Sequence, residues 1–177
     1  MIAKVFTLTS VLCCLCAAVL AQEVFKPRPS PLALTTMRYK DAYVKIIYSQ
    51  PQKRNREVFG TLVPFGQVWR TGANEATEIT LTKDLLINNV LVKAGTYSLF
   101  TIPEKDKWTI IINSDIGLWG SYNYNPAMDV LRFDVPVQPL NTVYEPFTMI
   151  FEQKNEMAEL LMMWDKTKVA IPIKFVN

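Results

Sequence analysis

The sequence predicts an all-β protein, built as a single antiparallel β-sandwich with one long irregular loop. Segments with apolar side chains at every second position recur along its 177 residues. Turn residues separate many of them at the spacing of about 8–12 residues that is typical of sandwiches and barrels. Residues 53–76 carry glycine and proline without a steady period. They interrupt any even up-and-down order and favour a sandwich of the jelly-roll or immunoglobulin-like kind over a closed barrel.

The N-terminus has the features of a secretory signal. Lys4 precedes an apolar run over residues 5–20, and small residues precede the polar Gln22. The run is too short to span a membrane comfortably. We therefore expect residues 1–21 to be a cleaved signal peptide. The mature chain is expected to be periplasmic or extracellular, with no transmembrane segment.

All three cysteines, Cys13, Cys14 and Cys16, lie inside that apolar run. A lipoprotein needs a cysteine at the end of the apolar core, followed by a polar tether, whereas Cys16 is followed by further apolar residues. Lipidation is left open, but the pattern favours a mature domain without cysteine. A domain of about 150 residues buries about 68–70% of its unfolded surface and needs no disulfides.

The elements follow from local patterns. Residues 22–34 are expected to be an extended tether or the lead-in to a first edge strand, because alternating prolines favour a conformation without internal hydrogen bonds. Residues 35–177 are expected to form the sandwich domain. Asn88 and Asn89 suit a two-residue hairpin turn, and residues 160–163 are too short and too closely bracketed by turn residues to prefer a helix. The expected strands are 42–49, 77–82, 85–87, 90–92, 96–102, 108–113, 130–135, 147–152, 159–164 and 168–175.

The composition excludes several kinds of function. The chain contains no histidine, which rules out Ser-His-Asp and Cys-His catalysis, histidine-ligated zinc and a histidine pH switch. The formal net charge is +3 without a long run of Lys and Arg, so we expect no nucleic-acid partner. Glycine-rich phosphate-binding motifs and the G-x-S-x-G motif are absent. We expect no cofactor and no metal, because the Asn and Asp residues within 113–129 lack the spacing of an EF-hand loop.

A first cluster of chemically versatile side chains lies in the irregular segment. Trp69, Arg70, Asn74 and Glu75 combine a flat apolar face with hydrogen-bond donors and acceptors, as sites for polar, ring-bearing ligands such as sugars do. Alternatively, Arg70 and Glu75 form a buried ion pair that fixes the loop, with Asn74 capping a turn. Both interpretations stay open. The basic residues 53–56 are likewise either a site for an anionic ligand or a solvated loop.

A second cluster lies within residues 113–129, where aromatic residues alternate with Asn, Ser and Gly. Trp119 and Tyr124 are suited to stacking on a sugar ring, and Asp129 to hydrogen bonding around its edge. The alternative is that these aromatic side chains cover the open end of the sheets. The sequence does not decide between the two.

Several long stretches match the pattern of a known family. VFGTLVPFGQVWRTGANEAT at residues 58–77 and AGTYSLFTIP at residues 94–103 carry the match. Residues 108–113, 119–124 with Asp129 and Arg132, and 164–169 also fit. Together they resemble the exported bacterial proteins catalogued as domain of unknown function 2911. The resemblance implies an exported, mostly β domain, which agrees with the periodicity, and it implies no reaction and no catalytic residues.

Three functions are compatible with these observations. We favour a non-catalytic binding module for a small polar or glycan-like ligand, contacted by Trp69, Arg70, Asn74, Glu75, Trp119, Tyr124 and Asp129. The second is a structural or assembly component of the cell envelope. The third is a histidine-free hydrolase in which Glu75 and Asp129 act on a glycosidic bond, with a neighbouring Trp raising the pKa of Glu75. We expect the protein not to be an enzyme.

Overall fold

The computed structural model describes residues 26–176 as two antiparallel β-sheets that pack on each other. The predicted signal peptide, residues 1–21, lies outside the described residues. Within the described part of the chain, no helix has the length and hydropathy needed to cross a lipid bilayer. The strands are β1 (Leu32–Tyr39), β2 (Ala42–Ser49), β3 (Ala73–Leu81), β4 (Leu85–Ile87), β5 (Val90–Val92), β6 (Gly95–Pro103), β7 (Lys107–Asn113), β8 (Asp129–Pro136), β9 (Gln138–Lys154) and β10 (Met157–Phe175).

The two sheets differ in size and in the way the chain enters them. The larger sheet has the strand order β1-β2-β3-β6-β7-β8, and the smaller one has the order β5-β4-β10-β9. The arrangement is a sandwich and not a closed barrel, which confirms the predicted fold class. The predicted hairpin at Asn88 and Asn89 joins β4 to β5, and both residues adopt the positive φ that this turn requires.

The chain begins its first strand earlier than the pattern indicated. β1 starts at Leu32, inside residues 22–34 that were expected to be an extended lead-in, and it pairs with β2 along its whole length. It forms one edge of the larger sheet, and Leu32 and Leu34 are exposed while Met37 is buried. An edge strand buries few side chains, so its apolar alternation is too weak to be recognised in the sequence.

The two longest strands, β9 and β10, replace three shorter predicted ones. The break between the predicted strands 159–164 and 168–175 is instead a pair of irregularities within β10, where Asp165 has a positive φ of 53° and the register with β9 shifts. Pro139 and Pro146 lie within β9. β9 forms an edge of the smaller sheet, where a missing N–H group is tolerated.

The core between the sheets is centred on an aromatic cluster, defined here as Phe59, Trp69, Trp108, Phe147 and Trp164. The rings of its contacting pairs have centroids 4.8–6.1 Å apart, mostly in edge-to-face or tilted arrangements. Three members come from strands β7, β9 and β10. The other two come from the irregular segment between β2 and β3, which therefore inserts into the core.

A smaller apolar cluster lies on the opposite face of the larger sheet. Phe100 and Ile111 are fully buried there, and partly buried side chains from the two long loops, including Val68, Leu118 and Tyr124, pack against them. Residues 114–128 and the stretch around Val68 thus fold over the outer face of the larger sheet, while Phe59 and Trp69 of the same irregular segment face the core between the sheets. This double covering brings the two sequence clusters to the same side of the molecule.

We expect Phe147→Ala to lower the free energy of unfolding by about 3–5 kcal/mol, because the ring is fully buried in the aromatic cluster and its removal leaves a cavity. Val143→Ala, a control at a 47% exposed position of the same strand, should change it by no more than about 0.5 kcal/mol. Urea unfolding of the two variants measures both. Equal effects at the two positions would contradict the assignment of the aromatic cluster as the centre of the core.

Candidate functional site

The site is organised by the way in which Trp69 enters the sandwich. Its ring is buried and stacks on Trp164 at a centroid distance of 5.9 Å, and its indole N–H donates to the carbonyl of Gly72 at 3.0 Å. Its backbone exchanges two hydrogen bonds with Thr101, of 2.7 and 3.0 Å. Trp69 is thus anchored through both its side chain and its main chain.

The backbone that follows Arg70 is fixed by hydrogen bonds, as the backbone at Trp69 is. Thr71 is fully buried with a positive φ of 55°, and its hydroxyl lies 3.1 Å from the hydroxyl of Thr101. The carbonyl of Thr71 accepts a 2.7 Å hydrogen bond from the Thr77 hydroxyl, and the carbonyl of Arg70 accepts one from the Thr77 N–H. The Arg70 side chain therefore leaves a rigid stretch of chain.

The ion pair between Arg70 and Glu75, which was one of the two interpretations of this cluster, does not form. Arg70 makes no ion pair with any described residue, and its Nε is buried without a hydrogen-bond partner. Glu75 instead pairs with Arg28 at 2.7 Å, with both side chains about half exposed. The sequence could not show this, because Arg28 lies far upstream in the proline-rich region.

Asn74 and Glu75 together hold the N-terminal strap, defined here as residues 26–31. Asn74 has a positive φ of 57°, and its amide contacts the Ser30 carbonyl and the Ser49 hydroxyl at 3.3 Å each. Glu75 binds Arg28 with one carboxylate oxygen and is 3.3 Å from the Ser49 hydroxyl with the other. These two predicted ligand contacts are therefore occupied by the chain itself.

The environment of Glu75 lowers the pKa of its carboxyl group. Its own backbone N–H and the Arg28 guanidinium hydrogen-bond to the carboxylate and favour the charged form, and Ser49 adds a smaller contribution. A general acid needs the opposite shift. The raised pKa expected for a hydrolase is thus not what this arrangement produces.

The two sequence clusters meet along β3. Glu75 pairs with Trp119 in an isolated β-bridge, and the N–H of Gly120 donates to the Asn74 carbonyl at 2.9 Å. Gly120 has a φ of +68°, and a Cβ atom placed on it would lie 3.5 Å from Nη1 of Arg70. The loop of residues 114–128 therefore crosses directly over the Arg70 guanidinium. Trp119 remains 58% exposed beside it.

Tyr124 and Asp129 form a separate, internally satisfied network. The Tyr124 hydroxyl donates to one oxygen of Asp129 at 2.7 Å, and the Asn113 amide donates to the other at 2.9 Å. Burial and the neighbouring Asp129 carboxylate raise the pKa of Tyr124 to about 12. Arg132 lies 3.6 Å from the same carboxylate. This network fixes the end of the loop and leaves no oxygen of Asp129 without a partner.

A pocket of about 330 Å³, here called the arginine pocket, opens where the strap and both loops converge. Trp69 and Arg70 are the residues of the predicted site that line it. The other polar lining residues are Ser30, Arg56, Gln67 and Ser121, and apolar ones include Leu62, Val63, Pro64 and Val68.

Sequence reasoning missed Ser30, Gln67 and Ser121. It identified Arg56 only through the basic run at residues 53–56, for which an anionic ligand was one of two interpretations. Glu75 does not line this pocket; it lines a smaller one of about 230 Å³ with Glu78 and Leu118.

Comparison with known proteins identifies a family but no function. A family model described as "Protein of unknown function (DUF2911)" matches residues 30–173, which is most of the chain. The match confirms the resemblance that residues 58–77 and 94–103 indicated. The comparisons with curated proteins and with solved structures found no match.

The Arg28–Glu75 pair allows a pH-dependent prediction. A double-mutant cycle of Arg28→Gln and Glu75→Gln should give a coupling free energy of about 0.2–1 kcal/mol at pH 7, as for other exposed pairs. The folded-state pKa of Glu75 lies below the ordinary value of 4.5. The stabilisation is therefore present above that value and is lost as the pH falls toward the lowered folded-state pKa.

Urea unfolding of the wild type, the two single variants and the double variant at pH 7, 5 and 3 measures this coupling. We expect similar values at pH 7 and 5 and a smaller value at pH 3. The double variant controls for effects of each residue on its other neighbours. A coupling that is zero at pH 7, or that does not decrease toward pH 3, would show that Glu75 does not hold the strap.

Proposed function

The chain belongs to the DUF2911 family, and we propose that it is a non-catalytic binding module that takes a small polar ligand in the arginine pocket. The observation that carries the proposal is the buried Nε of Arg70, which has no hydrogen-bond partner among the described residues. Buried polar atoms are almost always paired, so an unpaired one in a residue that lines a pocket requires an explanation, and a bound water, ion or ligand is one. The other such atom among the described residues, Nε1 of Trp108, belongs to the core, and Trp108 does not line the pocket. Because of the signal-like N-terminus, we place this binding in the periplasm or outside the cell.

The dimensions and lining of the pocket support this proposal. Its volume of about 330 Å³ lies within the range of about 300–1,000 Å³ that is usual for small-molecule sites. Arg70 projects from a backbone that Thr101 and Thr77 fix through hydrogen bonds. A rigid site loses less conformational entropy when a ligand binds, so the same contacts give a higher affinity.

The ligand-binding residues proposed here differ in part from those expected from the sequence. Trp69 and Arg70 are kept, and Arg56, Gln67 and Ser121 are added. Trp119 is kept as an exposed ring near the pocket, suited to stacking on a glycan-like ligand. The remaining four residues of the original set, Asn74, Glu75, Tyr124 and Asp129, are engaged in bonds within the protein.

Those internal bonds favour a structural role as the second candidate function. Asn74 and Glu75 attach the strap, and Tyr124 and Asp129 fix the second loop, as a purely structural use of both clusters would require. This candidate does not account for the unpaired Nε of Arg70. A hydrolase has no such support, because the lowered pKa of Glu75 does not suit a general acid, the group that donates the proton.

Blocking the pocket tests the proposal. We expect a library of sugars, sugar acids, amino acids and nucleotides to contain compounds that raise the midpoint of thermal unfolding, since a ligand at 100 times its Kd stabilises a fold by about 2.7 kcal/mol. Ser121→Phe places a ring in the pocket and should abolish the increase. Ser114→Phe, at an exposed position of the same loop outside the pocket, should leave it unchanged.

The same screen contains the results that would contradict the proposal. If no compound stabilises the wild type, the protein is not a binding module for small polar molecules and the structural function is favoured. If a compound stabilises the wild type and Ser121→Phe equally, binding takes place elsewhere on the surface. Circular dichroism of both serine variants establishes that the sandwich is intact before their midpoints are compared.

A further inference from the structure

We infer that the ligand of the arginine pocket carries an anionic group, a carboxylate or a phosphate, which Arg70 and Arg56 bind. This inference rests on the proposed function and specifies its ligand class. Both arginines line the pocket, and no Asp or Glu side chain lines it. The ion pairs among residues 26–176 involve Arg28, Arg132 and four lysines, and neither Arg56 nor Arg70 takes part in one. The pocket therefore holds two positive charges that the described residues leave uncompensated.

Arg70 supplies the deeper of the two charges. Its side chain is partly buried, and the Nε atom is shielded from solvent without any partner in the described chain. Leaving a buried donor unpaired is unfavourable, and the cost is greater for a charged group than for a neutral one. An anion in the pocket offsets the charge of this guanidinium, and the planar fork of Arg suits carboxylate and phosphate oxygens.

Arg56 is positioned by bonds that leave part of its guanidinium available. Its Nε donates to the Lys53 carbonyl at 2.9 Å, and its Nη2 donates to the Gln52 carbonyl at 2.6 Å. Its Nη1 has no hydrogen-bond partner among the described residues and faces no competing carboxylate in the pocket lining. These two bonds hold the exposed side chain at the pocket, so little further side-chain entropy is lost when it binds an anion.

The rest of the lining indicates what accompanies the charge. Leu62, Val63 and Val68 give the pocket an apolar wall, while Gln67 and Ser121 offer hydrogen bonds. A pocket of about 330 Å³ accommodates a molecule of roughly sugar or aromatic-acid size and excludes a polymer from its interior. The ligand class is thus a small organic acid or phosphate ester, or the anionic end of a longer glycan.

Probe pairs that share a body and differ in charge test this inference. We choose D-glucose with D-glucuronate, D-glucose with D-glucose 6-phosphate, and benzamide with benzoate, and measure binding by isothermal titration calorimetry at constant ionic strength. In at least one pair, the anionic member should bind at least about tenfold more tightly than the neutral member, because bonds to charged groups are the stronger ones. The carboxylate and phosphate pairs show which anion the site prefers.

Arginine variants then locate the charge that is recognised. Arg70→Gln and Arg56→Gln should each weaken binding of the anionic probe by at least about tenfold. Arg38→Gln is the matched control, because Arg38 lies on β1 and does not line the pocket. Arg56 is exposed, so Arg56→Gln remains informative even if Arg70→Gln lowers stability. Affinity should also fall with rising ionic strength.

The outcomes separate this inference from the proposed function. One outcome is that a neutral compound binds, that Ser121→Phe blocks this binding, and that no anionic probe has a higher affinity. The binding function then stands and the inference is wrong. If anion binding survives both Arg56→Gln and Arg70→Gln, the inference is wrong as well. If none of the probes and none of the screened compounds binds, the inference and the proposed function fail together.

Discussion

Burial of the Trp69 ring between the two sheets determines the position of the other site residues. The ring stacks on Trp164 and donates to the Gly72 carbonyl, and the main chain of Trp69 pairs with that of Thr101 in an isolated β-bridge. These bonds restrain both ends of a short stretch, so Arg70 must project to the outside of the sandwich. The long connection between β2 and β3 is thereby explained. It reaches into the core to place two aromatic rings and then returns over the outer face.

The site combines stabilising and destabilising features at neighbouring positions. Phe59 and Trp69 contribute buried aromatic surface, while Arg70, next to Trp69 in the chain, keeps a buried donor without a partner. Positive φ values at Thr71 and Asn74 add local backbone strain on either side of Gly72. Natural proteins accept such costs mainly at functional sites and compensate for them elsewhere in the structure. In this protein the aromatic cluster compensates for these costs, since the burial of Phe59 and Trp69 fixes the strained segment to the core.

The sandwich could be predicted from the sequence because most strands bury one face and show period-two alternation. The hairpin at Asn88 and Asn89 was equally clear, since its turn requires positive φ. A first edge strand was one interpretation of the proline-rich segment, but the bounds of β1 were missed because an edge strand exposes most of its side chains. The continuity of β10 through Asp165 was also missed, because local irregularity inside a strand and a turn between strands use the same residue types.

The candidate site was predictable only in part, for a different reason. Residue types indicated that Arg70 and Glu75 carry the chemistry, but pairing depends on which distant segment arrives beside each of them. Arg28 reaches Glu75 across 47 positions, and Ser121 reaches the pocket from the second loop. Contacts between such distant residues leave no periodic pattern in the sequence. Beside Trp69 and Arg70, the charge pattern at residues 53–56 was a local signal for the pocket, and its meaning depended on whether a concave surface lay beside it.

The outer edge of β9 has a consequence for association between molecules. β9 is the outermost strand of the smaller sheet, and the chain itself covers part of its edge. Residues 51–53 bridge to it at Pro146, where the Lys53 N–H donates to the Glu145 carbonyl and the Phe147 N–H donates to the Pro51 carbonyl. A strand from a second molecule cannot hydrogen-bond continuously along this edge, although it is one of the longest in the fold. The connection between β2 and β3 thus occupies part of the outer edge of β9, which limits edge-to-edge association between molecules.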